Sequence, residues 1–215
     1  NAAVYKLPFD PLKAFIPIAK LGSSPATLFV HPGVPVTSVK ELIALAKQKP
    51  GQLIWASSGI GSNQHLQAEL FRIKADIDVK IVQFKGGSSW MTDLLGGHSQ
   101  IGIGGIVQVL PHIKAGQVRV LGTGGLKRSP VLPDVPTISE AGLPGYEASG
   151  WWGMLAPAGT PAQIVDKLNN EIKSILVSDE LKKFFQSEGA QMDYMPPAEF
   201  GPWLAGEIVK MTRIA

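Results

Sequence analysis

The sequence has 215 residues and no cysteine, which excludes disulfide bonds, thiolate metal sites and a cysteine nucleophile. It has no run of 18 or more uncharged apolar residues, the pattern typical of a membrane-spanning helix. Only 17% of the residues are charged, the net charge is +3, and no basic cluster interrupts the chain. We therefore expect no nucleic-acid partner.

Hydrophobic residues make up 45% of the chain, enough for a large core in one domain or in two lobes of about 100 residues each. The first ten residues, NAAVYKLPFD, contain no Met and no signal-peptide pattern. We expect that residues upstream of them belong to the same protein and could contribute to its site.

Short apolar runs alternate with segments of helical periodicity, which favours βαβ units and a parallel sheet covered on both faces. The predicted strands are 26–31, 52–57, 79–84, 99–104 and 117–123, and the predicted helices between them are 39–48, 62–73, 88–95 and 107–115. The Gly- and Pro-rich segment 124–149 is predicted to be a long crossing connection. After it come an apolar run at 151–157, a helix capped by Thr160, and helices at 178–188 and 197–213.

The stretch WASSGIGSNQHLQAELF, residues 55–71, joins a strand to a helix through two glycines and a capping serine, Ser62. Helix N-termini present unpaired N–H groups and a partial positive charge, so this turn could hold a small anion. Similar glycine-rich turns occur within 83–97 and 102–110, and a parallel sheet would place all three turns at one edge. Neither a dinucleotide fingerprint nor a phosphate-binding loop fits the first turn, so a nucleotide is disfavoured and a carboxylate stays an open alternative.

The spacing of serines and histidines does not indicate a catalytic site or a metal site. Ser62 and His65 lie one helical turn apart, but this spacing is generic and no nucleophile-elbow motif surrounds the serine, so a serine hydrolase stays a minor alternative. The four histidines, His31, His65, His98 and His112, lack metal-ligand spacing. We predict no catalytic residue, no metal and no cofactor.

The chain resembles the substrate-binding receptors of tripartite tricarboxylate transporters, the periplasmic Bug family, over nearly all its length. The resemblance is carried by residues 4–22, 36–71, 84–97 and 110–161, and most specifically by RSPVLPDVPTISEAGLPGYE (128–147) followed by WWGMLAPAGTP (151–161). It implies a type II periplasmic-binding α/β fold, with two lobes joined by crossing strands and a ligand between them. Lobe one would comprise residues 1–30 and 125–215, and lobe two residues 31–124.

The same resemblance implies a receptor and not an enzyme: a monomer in the periplasm that captures a small dicarboxylate, tricarboxylate or aromatic acid for membrane transporter subunits. Matched by motif, the ligand-binding residues would be Ser57, Ser58, Gly61, Ser62, His65, Lys85, Gly86, Gly87, Ser88, Ser149, Gly150 and Trp151. The alternative is the ligand-sensing effector domain of a transcription regulator, which can share this fold. An upstream DNA-binding motif would favour the regulator, and an upstream signal peptide would favour the receptor.

Two positions depart from the family pattern. Gly87-Ser88-Ser89 stands near where many members have Ala-Pro, and Ile103-Gly104-Gly105 stands where many have Phe-Asp-Asn. The second departure removes an acid and an amide that could bind an ammonium group. We therefore hypothesise a ligand without an amino group.

Overall fold

The computed structural model describes residues 4–86 and 88–214, which divide into two compact units. Pro25–Ser149 forms the larger one, called the sheet unit below. The segments before Pro25 and after Ser149 together form the other, called the terminal unit.

The sheet unit alternates strands and helices along the chain. Strand β1 (Phe15–Val30) enters it from the terminal unit. Then follow α2 (Val39–Gln48), β2 (Ile54–Ser57), α3 (Asn63–Ala75), β3 (Lys80–Gln83), α4 (Ser89–Leu95), β4 (Ile101–Gly105), α5 (Ile106–Lys114) and β5 (Arg119–Thr123). Helix α1 (Pro11–Ala14) precedes β1 in the terminal unit.

The strands of the sheet unit are ordered β3-β2-β4-β1-β5. Strand β2 runs parallel to β3 and to β4, whereas β1 runs antiparallel to β4 and β5. Because β2, β3 and β4 point the same way, the turns that follow them lie at one edge of the sheet. The helix that follows β1 begins at the opposite edge.

Helices cover both faces of this sheet. One face packs against α2, α3 and the segment after β5, through a core that includes Trp55, Phe71 and Tyr146. The other face packs against α4 and α5, through Trp90 and Val109 among others. The covered faces leave the strand ends as the places where a small ligand could meet the backbone.

The terminal unit holds β6 (Ser149–Pro157) except for its first residue, and the helices α6 (Ala162–Leu176), α7 (Asp179–Ser187) and α8 (Pro197–Thr212). Strand β6 pairs with β1. The small core of the terminal unit contains Ile18, Ala19, Ala156 and Val165. No helix in the described parts of the chain is long and apolar enough to cross a bilayer.

The prediction of a parallel sheet is wrong for one central strand. Strand β1 begins at Phe15, far before the predicted residue 26, and it pairs antiparallel with both neighbours. The sheet is therefore mixed. The alternation of strands and helices could not reveal this, because periodicity reports burial and not strand direction.

The segment 124–149 belongs with the sheet unit in the structure. The Ala148 amide donates to the carbonyl of Gly124, the Thr123 amide donates to that of Pro136, and Ile138 is fully buried in the core. The two compact units divide the chain at 24/25 and 149/150. The lobe limits implied by the resemblance, 30/31 and 124/125, stay a prediction. Proline and glycine interrupted the periodicity here without taking the segment out of the core.

The predicted cap of α6 is also wrong. Pro161 occupies the cap position, and the Thr160 hydroxyl instead donates to the carbonyl of Pro157 at 2.8 Å. Threonine hydroxyls often make such local bonds to nearby carbonyls, which compete with capping.

Candidate functional site

The turn between β2 and α3, residues 58–62, is called the entry turn of α3 below. Gly59 and Gly61 have positive φ angles of 125° and 74°, in the region that glycine adopts without strain. The serine at its end caps the helix: the Ser62 hydroxyl accepts from the amide of His65 at 3.1 Å. The buried Ser57 hydroxyl lies 3.5 Å from that of Ser62.

The backbone amides at the start of α3 differ in whether they have a hydrogen-bond acceptor. The Ser62 amide donates to the carbonyl of Gly59, and the His65 amide is taken by the cap. The amides of Asn63 and Gln64 have no partner among the described residues. Two donors and a partial positive charge thus face outward beside a serine hydroxyl, an arrangement that suits an anion.

The second turn, after β3, packs against the entry turn. The Gly86 amide donates to the carbonyl of Ser58 at 3.1 Å, and Gly86 has a φ of 66°. Lys85 and Ser88 are exposed, and Ser88 stands at the cap of α4 without a capping hydrogen bond from its side chain. The predicted residue Gly87 lies outside the described residues. The structure thus brings Ser57, Ser58, Gly61, Ser62, His65 and Gly86 together at one edge.

The glycines of the third turn have a packing role. A Cβ atom at Gly102 would lie 2.8 Å from the side chains of Leu94 and Phe29, and one at Gly104 would lie 3.2 Å from the ring of Trp90. Larger residues would push α4 and α5 away from the sheet. The sequence predicted a third ligand-facing turn here, but Gly102 and Gly104 are explained by the close packing of neighbouring side chains.

Of the remaining predicted residues, Ser149 and Gly150 are half-buried at the start of β6. The Trp151 ring packs edge-on against Phe200 and Trp203, at centroid distances of 5.8 and 5.1 Å. Trp151 therefore has a structural role in the terminal unit, and its predicted contact with a ligand stays a prediction.

The Ser62 and His65 side chains do not form a nucleophile and base. The ring Nδ1 of His65 accepts from the Gly61 amide at 3.2 Å, and Nε2 lies 3.7 Å from Glu69. Among the hydrogen bonds of the described residues, none joins the imidazole to the Ser62 hydroxyl. A serine hydrolase would need that bond.

The three turns also contain no acidic residue of their own. Residues 57–65, 84–90 and 102–108 contain no Asp or Glu. On the helices that follow, Glu69 is paired with Arg72 at 2.7 Å, and the carboxylate of Asp93 accepts from the Ser99 hydroxyl. No group of three His, Cys, Asp or Glu within the described ranges could hold a metal ion.

Sequence reasoning missed the residues whose backbone matters most. Asn63 and Gln64 follow directly from Ser62 as the cap, because the first helical residues are the ones without intrahelical acceptors. The ion pair of Glu69 and Arg72 was visible only as an i, i+3 spacing on α3.

Comparison with known proteins places this geometry in a family. The model of the tripartite tricarboxylate transporter family receptor matches residues 2–214. The protein BugT of Bordetella pertussis is 33% identical over 208 residues, which are 97% of this chain and 64% of BugT. The chain therefore spans slightly less than two thirds of that relative.

Two solved structures are similar throughout the chain. R. palustris Rpa4515 with adipate is 34% identical, with a TM-score of 0.92 over 99% of this chain and 71% of that one. MatC of Rhodopseudomonas palustris with bound malate is 29% identical, with a TM-score of 0.89 over 99% of this chain and 74% of its own. The periplasmic-binding type of α/β fold predicted from the resemblance is confirmed by such superpositions.

Proposed function

The chain belongs to the tripartite tricarboxylate transporter receptor family, and from this membership we propose that it captures a small organic carboxylate in the periplasm. The receptor then delivers the acid to a membrane transporter of that class and does not alter it chemically. The ligand-binding groups include the Ser62 hydroxyl and the backbone amides of Asn63 and Gln64.

The observation that carries the proposal is the start of α3. The amides of Asn63 and Gln64 lack partners among the described residues, and no acidic side chain occupies the first turn. A ligand carboxylate supplies the missing negative charge and accepts charge-assisted hydrogen bonds from these amides and from the Ser62 hydroxyl. Lys85, exposed on the neighbouring turn, adds a positive charge that attracts the anion from solution.

The ligand class can be narrowed further. Adipate and malate, which are present in the two similar structures, carry two carboxylates and no amino group. The three turns at the proposed edge offer no carboxylate to an ammonium group. We therefore propose a dicarboxylate or a related acid without an amino group as the ligand.

Thermal melting of the protein against a panel of acids tests the proposal. The panel contains adipate, malate, succinate, glutarate, citrate, phthalate, aspartate and glutamate. A ligand at 100 times its dissociation constant adds about 2.7 kcal/mol, which raises the midpoint of a protein of this size by roughly 5–10 °C.

We expect a shift from at least one acid without an amino group, and smaller shifts from aspartate and glutamate than from succinate and glutarate. A flat panel, with no acid released from the denatured protein in mass spectrometry, would contradict the receptor function. Tighter binding of the amino acids would contradict the ligand class alone.

A further inference from the structure

His65 lies beside the proposed ligand site, and both of its ring nitrogens lie near other groups of the protein. The Nδ1 atom of His65 accepts a hydrogen bond from the Gly61 amide at 3.2 Å. An imidazole nitrogen that accepts carries no proton, so a neutral His65 has its proton on Nε2. This hydrogen-bond geometry assigns the tautomer.

The other ring nitrogen faces a fixed carboxylate. Nε2 lies 3.7 Å from Oε1 of Glu69, one helical turn further along α3. The second oxygen of Glu69 is held by Arg72, whose Nε and Nη2 atoms each lie 2.7 Å from it. The three side chains therefore form a chain of contacts along one face of α3, which ends at the backbone of Gly61.

Gly61 matters because it lies directly before the cap. It is buried and has a φ of 74°, and the next residue is Ser62, which sets the direction of the first helical amides. A shift of the entry turn would move the Ser62 hydroxyl and the amides of Asn63 and Gln64 together. The hydrogen bond from Gly61 to His65 opposes such a shift.

We propose that His65 is a positioning residue of the ligand site. It fixes the entry turn of α3 through Nδ1, in a tautomer that Glu69 and Arg72 support, and it does not contact the ligand itself. This inference rests on the proposed function for its ligand and gives His65 a different role from the direct contact that motif matching implied.

Two substitutions separate the roles of the two ring nitrogens. The side-chain oxygen of asparagine lies near the place of Nδ1 and can still accept from Gly61, whereas the terminal group of glutamine reaches the place of Nε2. Loss of one hydrogen bond of ordinary net strength corresponds to about five- to tenfold in affinity.

We therefore expect His65→Gln to weaken binding of adipate and malate by about five- to tenfold, and His65→Asn by less than about threefold. A direct contact through Nε2 predicts the reverse order. A purely structural role on the helix also predicts the reverse order, because glutamine is the better helix former. His112→Gln, in the last turn of α5, is the matched control for replacing a helical histidine and leaves binding unchanged.

Hydrogen exchange of the Gly61 amide, measured without ligand, provides an independent result. Exchange rises in His65→Gln and stays near the wild-type rate in His65→Asn. Equal exchange of the Gly61 amide in the two variants would overturn the inference, and so would tighter ligand binding by His65→Gln than by His65→Asn. If the unsubstituted protein binds none of the acids, the proposed function fails, and the exchange rates still decide whether His65 fixes the turn.

Discussion

Two helices of the sheet unit, α2 and α3, begin with the same cap and differ in what lies next to it. Ser38 caps α2 by accepting from the Glu41 amide at 3.2 Å, as Ser62 caps α3 by accepting from the His65 amide at 3.1 Å. In α2 the third helical residue is a glutamate. In α3 it is a histidine, and the first turn has no acid.

The glutamate of α2 neutralises its own helix end. Its carboxylate accepts from the Thr37 amide at 2.6 Å and from the Thr37 hydroxyl at 3.0 Å. The hydrogen bond from the Thr37 backbone, and then that from its hydroxyl, lower the pKa of Glu41 below its ordinary value. The start of α2 thus has an internal anion and needs no ligand.

The two helix starts also lie at opposite edges of the sheet. Helix α2 follows β1, which runs antiparallel to β4, whereas α3 follows β2, which runs parallel to β4. A helix whose own carboxylate balances the partial positive charge of its N-terminus has no need of a ligand there. A helix start without an acidic residue can bind an external carboxylate. The lack of an acidic residue in the first turn of α3 is therefore a better indicator of an anion site than the capping serine, which both helices have.

The contrast disappears if α3 receives a carboxylate of its own. Gln64→Glu keeps an acceptor for the Ser58 hydroxyl, which donates to Gln64 at 2.8 Å, and adds a negative charge beside the proposed ligand. We expect affinity for adipate and malate to fall on the order of a hundredfold, because like charges a few ångströms apart repel strongly at a protein surface. Isothermal titration calorimetry measures this loss.

The same variant should melt about 1–3 °C higher than the original protein without ligand, because an acid near a helix start is stabilising. Gln52→Glu, at an exposed residue before β2, adds the same charge at the other edge and controls for net charge. Unchanged binding in Gln64→Glu would remove the start of α3 from the site.

A comparison of the two caps has the next largest expected effect. Ser62→Ala and Ser38→Ala each remove a capping hydrogen bond, and each should lower the free energy of unfolding by about 1 kcal/mol. Only Ser62→Ala should also weaken carboxylate binding, by roughly tenfold, since only its hydroxyl is proposed to contact the ligand. Urea denaturation and titration calorimetry of both variants separate the two losses. If Ser62→Ala and Ser38→Ala bind the carboxylate with equal affinity, Ser62 serves only as a helix cap.

The smallest effect concerns the internal anion of α2. A carboxyl group whose pKa is lowered by folding stabilises the protein above its unfolded pKa, and this stabilisation is lost as the pH falls through the folded pKa. Glu41→Gln should therefore be slightly less stable than the original protein at neutral pH. The difference in the free energy of unfolding should shrink as the pH falls below 4.5, the ordinary pKa of a glutamate. Urea denaturation at several pH values checks this, and a difference that does not depend on pH would contradict the role of the charge.

Much of the fold could be predicted from the sequence. The periodicity located α2 at residues 39–48 as found, and the glycines and serine of residues 57–62 correctly marked the end of β2 and the cap of α3. These features depend on neighbours in the chain, which a sequence displays. The mixed sheet and the packing of residues 124–149 depend on distant partners, which it does not display.

The candidate site divides in the same way. Ser57, Ser62 and His65 were predicted from the stretch around the end of β2, and their closeness to Gly86 follows from parallel neighbouring strands. The roles of the third-turn glycines and of Trp151 could not be read from the sequence, because both are set by side chains from other elements.

By itself, then, the sequence determined the family, the cap of α3 and the lack of an acid beside it, because each is a property of residue identity and short spacing. Only the tertiary structure decided that the His65 ring accepts from the Gly61 amide and that the turn after β3 packs against the entry turn of α3. Hydrogen-bond partners are chosen in three dimensions: the same serine cap is joined by a carboxylate that accepts from Thr37 in α2, and by an imidazole that accepts from the Gly61 amide in α3.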